Sequence, residues 1–281
     1  MTGGTGSVWA GARRGLAAAA DLVLPSRCAA CHGPGGPLCG TCADAVRCSS
    51  LGVALRDVGP HRPPPGMPSC WAGARFEGAL RLAITAYKDE GRRDLRTTLA
   101  RALAAALSGA AGGDPVLRRR LGLGEEVLVV PVPASRASRR RRGDDPVLDL
   151  AVAAAAAVNG AVQGAGRRPA AGAWGAGGLV VVPALVHTRR VADQAHLDRR
   201  ARAANLSGAM VVGAPWRGPV AGSTCVLVDD VVTTGATLTE AARALRDAGV
   251  RHVVAATCAT TPRHHPAPPL WPTGAPTSVR S

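Results

Sequence analysis

The sequence has few aromatic side chains: one Phe, one Tyr and five Trp make up only 2% of its 281 residues. Proteins that bind single-stranded nucleic acid by stacking its bases need many more such surfaces, so this mode of binding is disfavoured. Hydrophobic residues nevertheless reach 47% and charged residues only 19%. A chain of this length and composition can bury a large core, which excludes disorder throughout. We expect a core of Ala, Val and Leu.

Lysine is almost absent, because Lys88 is the only one and every other cationic side chain is arginine. The 34 Lys and Arg residues exceed the 19 Asp and Glu residues, for a formal net charge of +15. Such an excess is typical of proteins that meet nucleic acid, nucleotides or other phosphates. Biased codon usage in a chain rich in Ala, Gly, Arg and Pro explains it equally well.

Long apolar runs are missing as well. No stretch approaches the roughly 18 apolar residues that a membrane-spanning helix needs, so no such helix is predicted. Arg13 and Arg14 precede an apolar stretch, as in an export signal, but Asp21 interrupts that stretch and no cleavage site follows. We expect a short amphipathic helix ending at Pro25 and a cytoplasmic protein.

Four of the eight cysteines form two C-x2-C pairs separated by seven residues: Cys28, Cys31, Cys39 and Cys42. Two such pairs supply four thiolates, which complete a closed tetrahedral Zn²⁺ site of the structural kind. The segment between the pairs is too short for a core of its own, so the metal would supply its folding energy.

Other interpretations of the cysteines remain open. Two disulfides would need an oxidising compartment, and a redox-active C-x2-C pair is a further alternative. His32 or Cys48 could replace one ligand in a variant site. Cys70, Cys225 and Cys258 have no partner at a suitable spacing, and we expect them to be small buried apolar residues.

The composition changes along the chain suggest four segments and one insertion. Residues 1–50 hold the N-terminal helix and the cysteine knuckle. Residues 51–69 form a linker too rich in proline for helix or sheet. Residues 70–262 form the main domain, which contains a Gly-rich insertion without fixed structure at 160–178. Residues 263–281 form a disordered tail.

The main domain alternates apolar runs with helical patterns. A strand-like stretch begins at Cys70, followed by a helix to Tyr87 and a second helix from Asp94, its cap, to Leu107. Further on, continuous apolar runs predict strands at 127–133, 179–183, 226–232 and 252–258, and helical patterns lie at 146–158, 190–204 and 237–248. This alternation predicts an α/β domain with a parallel sheet.

The strongest chemical signal lies at 226–238, where a buried strand ends in Asp229 and Asp230 and a Thr/Gly loop leads into a helix. Ligands of parallel α/β sheets bind beyond the carboxyl ends of the strands. Consecutive N–H groups of residues 233–237 at a helix N-terminus form a phosphate cradle, and Gly235 lets the backbone approach an anion. Two carboxylates suit the vicinal hydroxyls of a sugar, or a metal bound to them. The expected ligand is therefore a phosphorylated sugar.

This segment resembles the signature of the type I phosphoribosyltransferases, which bind phosphoribosyl pyrophosphate (PRPP). The resemblance implies that Asp229 and Asp230 contact the ribose hydroxyls. It also implies that the loop holds the 5′-phosphate through Thr233, Thr234, Gly235, Ala236 and Thr237.

The order of motifs over residues 16–261 further resembles the ComF family of competence-associated, phosphoribosyltransferase-like proteins. The matching features are the four-cysteine knuckle, Tyr87-Lys88 with Gly91-Arg92-Arg93, the Pro-Val-Pro at 131–133, Arg189 or Arg190 with Gln194, Leu197, Arg202 and Asn205, and the signature at 226–238. The implied fold is α/β: a type I phosphoribosyltransferase-like parallel sheet flanked by helices and preceded by a small zinc knuckle.

The resemblance implies binding of Mg·PRPP or a related sugar phosphate or nucleotide, with transfer of the phosphoribosyl group to a nitrogen acceptor. Mg²⁺ would arrive with the substrate and keep several waters. The alternative function is a non-catalytic DNA-uptake or DNA-processing factor, which would bind nucleotide or single-stranded DNA and work with DNA-uptake proteins.

A leaving pyrophosphate needs cations, for which the candidates are Lys88, Arg92, Arg190 and the arginines at 139–142 of the basic loop 136–142. A solvated role remains open for Lys88 and for the loop, and a structural one for Arg190. At Asp144 and Asp145 the chain has acids where the family has an aromatic residue and an amide. This departure weakens the case for pyrophosphate binding by that segment.

Overall fold

The structure, a computed structural model, describes residues 27–49, 55–56, 58–60, 63–134, 143–164, 177–188 and 208–261. Its strands are β1 (Leu55–Arg56), β2 (Cys70–Arg75), β3 (Val127–Pro131), β4 (Leu179–Val181), β5 (Leu185–His187), β6 (Met210–Val212), β7 (Thr224–Val232) and β8 (His252–Thr260). Its helices are α1 (Gly40–Ser49), α2 (Gly78–Asp89), α3 (Arg96–Gly113), α4 (Pro115–Gly122), α5 (Pro146–Gly164), α6 (Arg217–Val220) and α7 (Ala236–Asp247). Short 3₁₀ turns at Arg93–Leu95 and Ala214–Trp216 precede α3 and α6.

The main sheet has the strand order β1-β2-β8-β7-β3-β4. The strands from β2 to β4 in that order are parallel, and β1 pairs antiparallel with β2 at one edge. The two long strands β7 and β8 pair from Thr224↔His252 to Val232↔Thr260. A separate pair, β5 and β6, is antiparallel. This arrangement confirms the predicted α/β class with a parallel sheet.

Each face of the sheet packs against its own apolar layer. Val127 and Val129 of β3 lie in a cluster with α2, α3 and α5, whereas Leu128 and Val130 lie in a second cluster with α7, β5 and β6. Successive residues of a strand point to opposite faces, so a strand buried on both faces needs an uninterrupted apolar run. That requirement explains why continuous runs, and not alternating ones, marked these strands in the sequence.

Helix α3 lies unusually close to β2. A Cβ atom on Gly73 would lie only 1.9 Å from the carbonyl oxygen of Ala102, so glycine is required there for the helix to pack against the strand. Both residues are buried.

Several predicted boundaries were wrong. The linker at 51–69 contains sheet, because Leu55–Arg56 form β1 and Val58 N–H donates to Cys70 O over 3.1 Å. Asp94 does not cap α3, which starts at Arg96 after the 3₁₀ turn. Helix α5 continues to Gly164, so the first residues of the predicted unstructured insertion are helical.

Other predictions fall outside the described residues. These are the N-terminal helix ending at Pro25, the helix at 190–204, the basic residues up to Arg142, the central part of the insertion and the tail at 263–281. Within the part of the chain that the structure describes, no helix has the combined length and apolarity that crossing a membrane requires.

Candidate functional site

The two acids of the signature lie near the carboxyl end of β7. Asp230 is 8% exposed and Asp229 is partly buried. Each carboxylate is tied to the backbone: Asp229 Oδ1 accepts from the Asp230 N–H and Asp230 Oδ1 accepts from the Val231 N–H, both over 2.8 Å. The strand therefore fixes the orientation of both side chains at the edge where parallel sheets bind ligands.

The pKa of Asp229 lies well above the ordinary value of an aspartate. Burial and the neighbouring charge of Asp230 raise the pKa of Asp229 to about 8, although the ammonium of Lys88 opposes the rise. Two carboxylates this close resist ionising together, because like charges repel strongly in a partly buried site. A ligand that supplies positive charge or hydrogen-bond donors would favour the ionised form of Asp229.

Lys88 lies in the last turn of α2, and its Nζ is 2.6 Å from Asp230 Oδ2. Burial disfavours the ammonium, but Asp230 and Asp229 outweigh burial and raise the pKa of Lys88 above its ordinary value. The structure thus brings the chain's one lysine to the acid pair, a contact that links α2 with β7. The sequence analysis named Lys88 as a candidate pyrophosphate ligand and left a solvated role open.

The predicted phosphate loop joins β7 to α7. Gly235 has a φ of +75° and lies immediately before the first residue of α7. Because it is a glycine, it has no side chain with which to cap that helix. Thr234 Oγ1 accepts from the Ala236 N–H over 3.4 Å, and Thr239 donates both its N–H and its hydroxyl to Gly235 O over 2.9 Å. This geometry suits an anion, because a helix N-terminus presents backbone donors and the positive end of the helix dipole.

A segment of the proline-rich linker covers part of this loop, and the sequence had not predicted it. A Cβ on Gly235 would lie 2.4 Å from Met67 Sδ and 3.5 Å from Pro64 Cδ. The segment is held in place by Arg246, whose Nη1 donates to Gly66 O over 2.7 Å. Residues 63–69, which we call the strap, therefore pack on the loop and on α7. No local pattern could have revealed a contact between residues so far apart in the chain.

Of the other two candidate pyrophosphate ligands, Arg92 has partners elsewhere and Arg190 lies outside the described residues. The Arg92 guanidinium donates to the Asp94 carboxylate over 2.7–3.2 Å and to Arg27 O over 3.0 Å. The structure therefore connects Arg92 to the cysteine segment and does not bring it to the acid pair. Its assignment to pyrophosphate stays a prediction without geometric support.

Asp144 and Asp145, the acids that depart from the ComF pattern, have structural partners. Asp144 Oδ2 accepts from Arg93 Nε over 2.7 Å. Asp145 accepts from the Leu148 N–H over 3.3 Å and from the Ala134 N–H over 3.2 Å, so it joins the start of α5 to the end of the β3 segment. Such contacts are typical of an Asp that caps a helix.

The four predicted zinc ligands lie together: the Sγ atoms of Cys28, Cys31, Cys39 and Cys42 are all within 4.8 Å of one another. Cys31 Sγ and Cys39 Sγ are 3.6 Å apart, close to the roughly 3.8 Å that a tetrahedron with Zn–S bonds of about 2.3 Å requires. No disulfide joins the described cysteines. This cluster fits a metal ion.

The backbone around Cys28 favours the thiolate form that a metal needs. Burial opposes ionisation, but hydrogen bonds from the backbone of Cys31, Cys39 and Ala30 lower the pKa of Cys28 to about 6. The turn is closed by the His32 N–H, which donates to Cys28 O over 2.9 Å.

The prediction that Cys70, Cys225 and Cys258 are buried is confirmed, with at most 1% of each exposed.

Part of the chain matches a known domain and known proteins. The family model described as "Phosphoribosyl transferase domain" matches residues 194–270. Ribose-phosphate pyrophosphokinases from Pasteurella multocida and Buchnera aphidicola are each 39% identical to this chain over 79 residues, and the enzyme from Xanthomonas campestris is 43% identical over 79 residues. Each match covers 28% of this chain and 24% of the relative, so it spans about a quarter of the relatives' length. Together with the parallel sheet, these matches support a type I phosphoribosyltransferase fold.

Proposed function

We propose that this protein binds Mg·PRPP, or a closely related sugar phosphate, and transfers the phosphoribosyl group to a nitrogen acceptor. The observation that carries the proposal is the placement of Asp229 and Asp230 directly before the left-handed Gly235 and the N-terminus of α7. An acid pair and an anion cradle separated by one short loop match a sugar that carries hydroxyls and a phosphate. The matched domain and the similarity to ribose-phosphate pyrophosphokinases support the same ligand class.

In the proposed reaction the protein mainly positions the substrate and stabilises developing charge. The acid pair accepts hydrogen bonds from the ribose hydroxyls, and residues 233–237 hold the 5′-phosphate through backbone N–H groups. The bond between C1 and the pyrophosphate oxygen breaks, and a bond from C1 to the acceptor nitrogen forms. Mg²⁺ would arrive with the substrate and would supply positive charge to the leaving pyrophosphate, so no dedicated protein cage is needed.

Calorimetric titration of Mg·PRPP into the zinc-loaded protein tests the binding step. We expect the wild type to bind and the double variant Asp229→Asn/Asp230→Asn to lose binding while it keeps its fold, since the substitutions preserve volume. Release of pyrophosphate across a panel of nitrogenous bases and amines then tests turnover. Equal binding by both proteins would refute the role of the acid pair.

The second candidate function is a non-catalytic factor of the DNA-uptake or DNA-processing kind that binds nucleotide or single-stranded DNA. The net charge of +15 favours it, because cations attract phosphate backbones. Binding of Mg·PRPP without release of its pyrophosphate in the presence of any tested acceptor would favour a non-catalytic role, and binding of an oligonucleotide in place of Mg·PRPP would favour this second function.

We propose further that the four-cysteine cluster holds structural Zn²⁺ and that the chain is of the ComF type. The cluster precedes the phosphoribosyltransferase-like sheet, as the resemblance implies, and its four sulfurs all lie within 4.8 Å of one another. A site of four reduced thiolates supports a reducing compartment such as the cytoplasm. Measurement of one zinc per chain in protein purified under reducing conditions would bear this out.

A further inference from the structure

The contact between Lys88 and Asp230 is more than an ordinary surface ion pair. Asp230 is buried, with 11% of its side chain exposed, and Lys88 is about half exposed. Apolar side chains of α2, α3 and α5 and the thiol of Cys258 border the recess that the two residues share. In such surroundings a charge pair interacts more strongly than in water. Removing Lys88 leaves Asp230 buried and uncompensated.

The residue before Lys88, Tyr87, is held by the core. Tyr87 is 2% exposed, and its hydroxyl donates to Asp149 Oδ2 on α5 over 2.8 Å. Arg93 Cζ lies 4.6 Å from the centroid of the Tyr87 ring, and Arg93 Nη1 donates to Tyr87 O over 2.8 Å. These contacts fix the last turn of α2, so the ammonium of Lys88 reaches Asp230 from a rigid base.

We propose that Lys88 is a positioning residue that acts on the sugar through Asp230 and does not contact pyrophosphate. This inference rests on the proposed function, because it assumes that Asp230 binds the ribose hydroxyls. The Lys88 ammonium pairs with Asp230 Oδ2, and the Val231 N–H donates to Asp230 Oδ1. Each carboxylate oxygen can accept a second hydrogen bond. Two fixed donors therefore orient the remaining acceptor positions toward a ligand.

The alternative, contact with pyrophosphate, would require the ammonium to leave Asp230. Among the residues that the structure describes, Lys88 is the only cation within ion-pair distance of Asp230. The buried carboxylate of Asp230 would therefore lose that partner. Loss of that partner is unfavourable, because Asp229 beside it already makes a second negative charge costly. We therefore expect the ion pair to persist in the complex.

Two ligands separate these alternatives. Ribose 5-phosphate contains the hydroxyls and the 5′-phosphate of PRPP but lacks its pyrophosphate. If Lys88 acts through Asp230, Lys88→Met weakens the binding of ribose 5-phosphate and of Mg·PRPP by the same factor, about tenfold or more as for a charge-assisted hydrogen bond. A loss confined to Mg·PRPP would overturn the proposal in favour of direct pyrophosphate contact.

A double-mutant cycle provides the second readout. Because Lys88 is proposed to act through Asp230, Lys88→Met should add no further loss in an Asp230→Asn background. Lys88→Arg should recover most of the affinity for ribose 5-phosphate, since it restores a cation. Arg81→Met, which removes an exposed cation from the same helix, is the matched control and should leave both affinities unchanged.

The outcomes distinguish this inference from the proposed function. If the wild type binds neither ligand, the proposed function fails and the role of Lys88 fails with it. If the wild type binds both and Lys88→Met binds both equally well, only the role of Lys88 is refuted. If Lys88→Met does not fold, Lys88→Gln provides the same comparison, because it keeps a polar end but loses the charge.

Discussion

Replacing Gly235 by Ala is the sharpest test of the phosphate loop. The residue has a φ of +75°, which costs a residue with a Cβ about 1–2 kcal/mol. The new methyl group would also lie 2.4 Å from Met67 Sδ. A methionine side chain is flexible and can move, so we take the low end, about 1 kcal/mol, of the cost of overpacking. The expected loss of unfolding free energy is therefore about 2–3 kcal/mol.

Urea denaturation of Gly235→Ala, Met67→Ala and the double variant measures the two contributions separately. In the Met67→Ala background the contact is absent, so Gly235→Ala should cost only the backbone strain of about 1–2 kcal/mol. Equal costs in both backgrounds would show that Met67 does not pack on the loop. A loss below about 0.5 kcal/mol in the single variant would refute the left-handed conformation itself.

Three further predictions concern the knuckle, the acid pair and the sheet. Cys28→Ser and Cys39→Ser should each lose bound zinc and unfold the knuckle, whereas Cys48→Ser should retain it; stoichiometric metal in the first two would contradict the site. Because the pKa of Asp229 is raised to about 8, the folded protein retains a proton that the unfolded chain releases near pH 4, so its stability falls as pH rises through that window. Between pH 5 and pH 8 the unfolding free energy of Asp229→Asn, measured by urea denaturation, should therefore rise relative to that of the wild type. A difference in unfolding free energy that does not change with pH would exclude the raised pKa. Gly73→Ala should lose more than about 3 kcal/mol, because the obstructing atom belongs to a helix backbone 1.9 Å away; thermal unfolding near that of the wild type would be inconsistent with the close packing of α3.

The central strands were predictable because burial on both faces demands continuous apolar residues. The short strands β5 and β6 were not, since three residues carry too little pattern. In β5 the apolar run continues from β4 with only Val182, Pro183 and Ala184 between them, so one strand was predicted up to residue 183 and the turn into a second sheet was missed.

The residues of the candidate site likewise fall into two groups: those that the local sequence reveals and those whose contacts only the fold reveals. Asp229, Asp230 and Gly235 were found because strand, acids, turn and helix follow one another within a few residues. The contacts of Asp230 with Lys88 and of Gly235 with Met67 join segments that only tertiary packing brings together. Local composition drew attention to Lys88 as the only lysine, but it could not specify the partner.

The cysteine knuckle and the candidate sugar-phosphate site share one structural support, helix α2. Val46 of α1 and Ala29 of the knuckle turn are buried in the same apolar cluster as the residues of α2, and Arg92, just after α2, donates to Arg27 O at the start of the knuckle. The other end of this connection is Lys88, which pairs with Asp230. A knuckle that packs on the helix holding this lysine stabilises more than its own short segment. A metal bound there would therefore contribute to the rigidity of α2, on which the position of the acid pair's counter-ion depends.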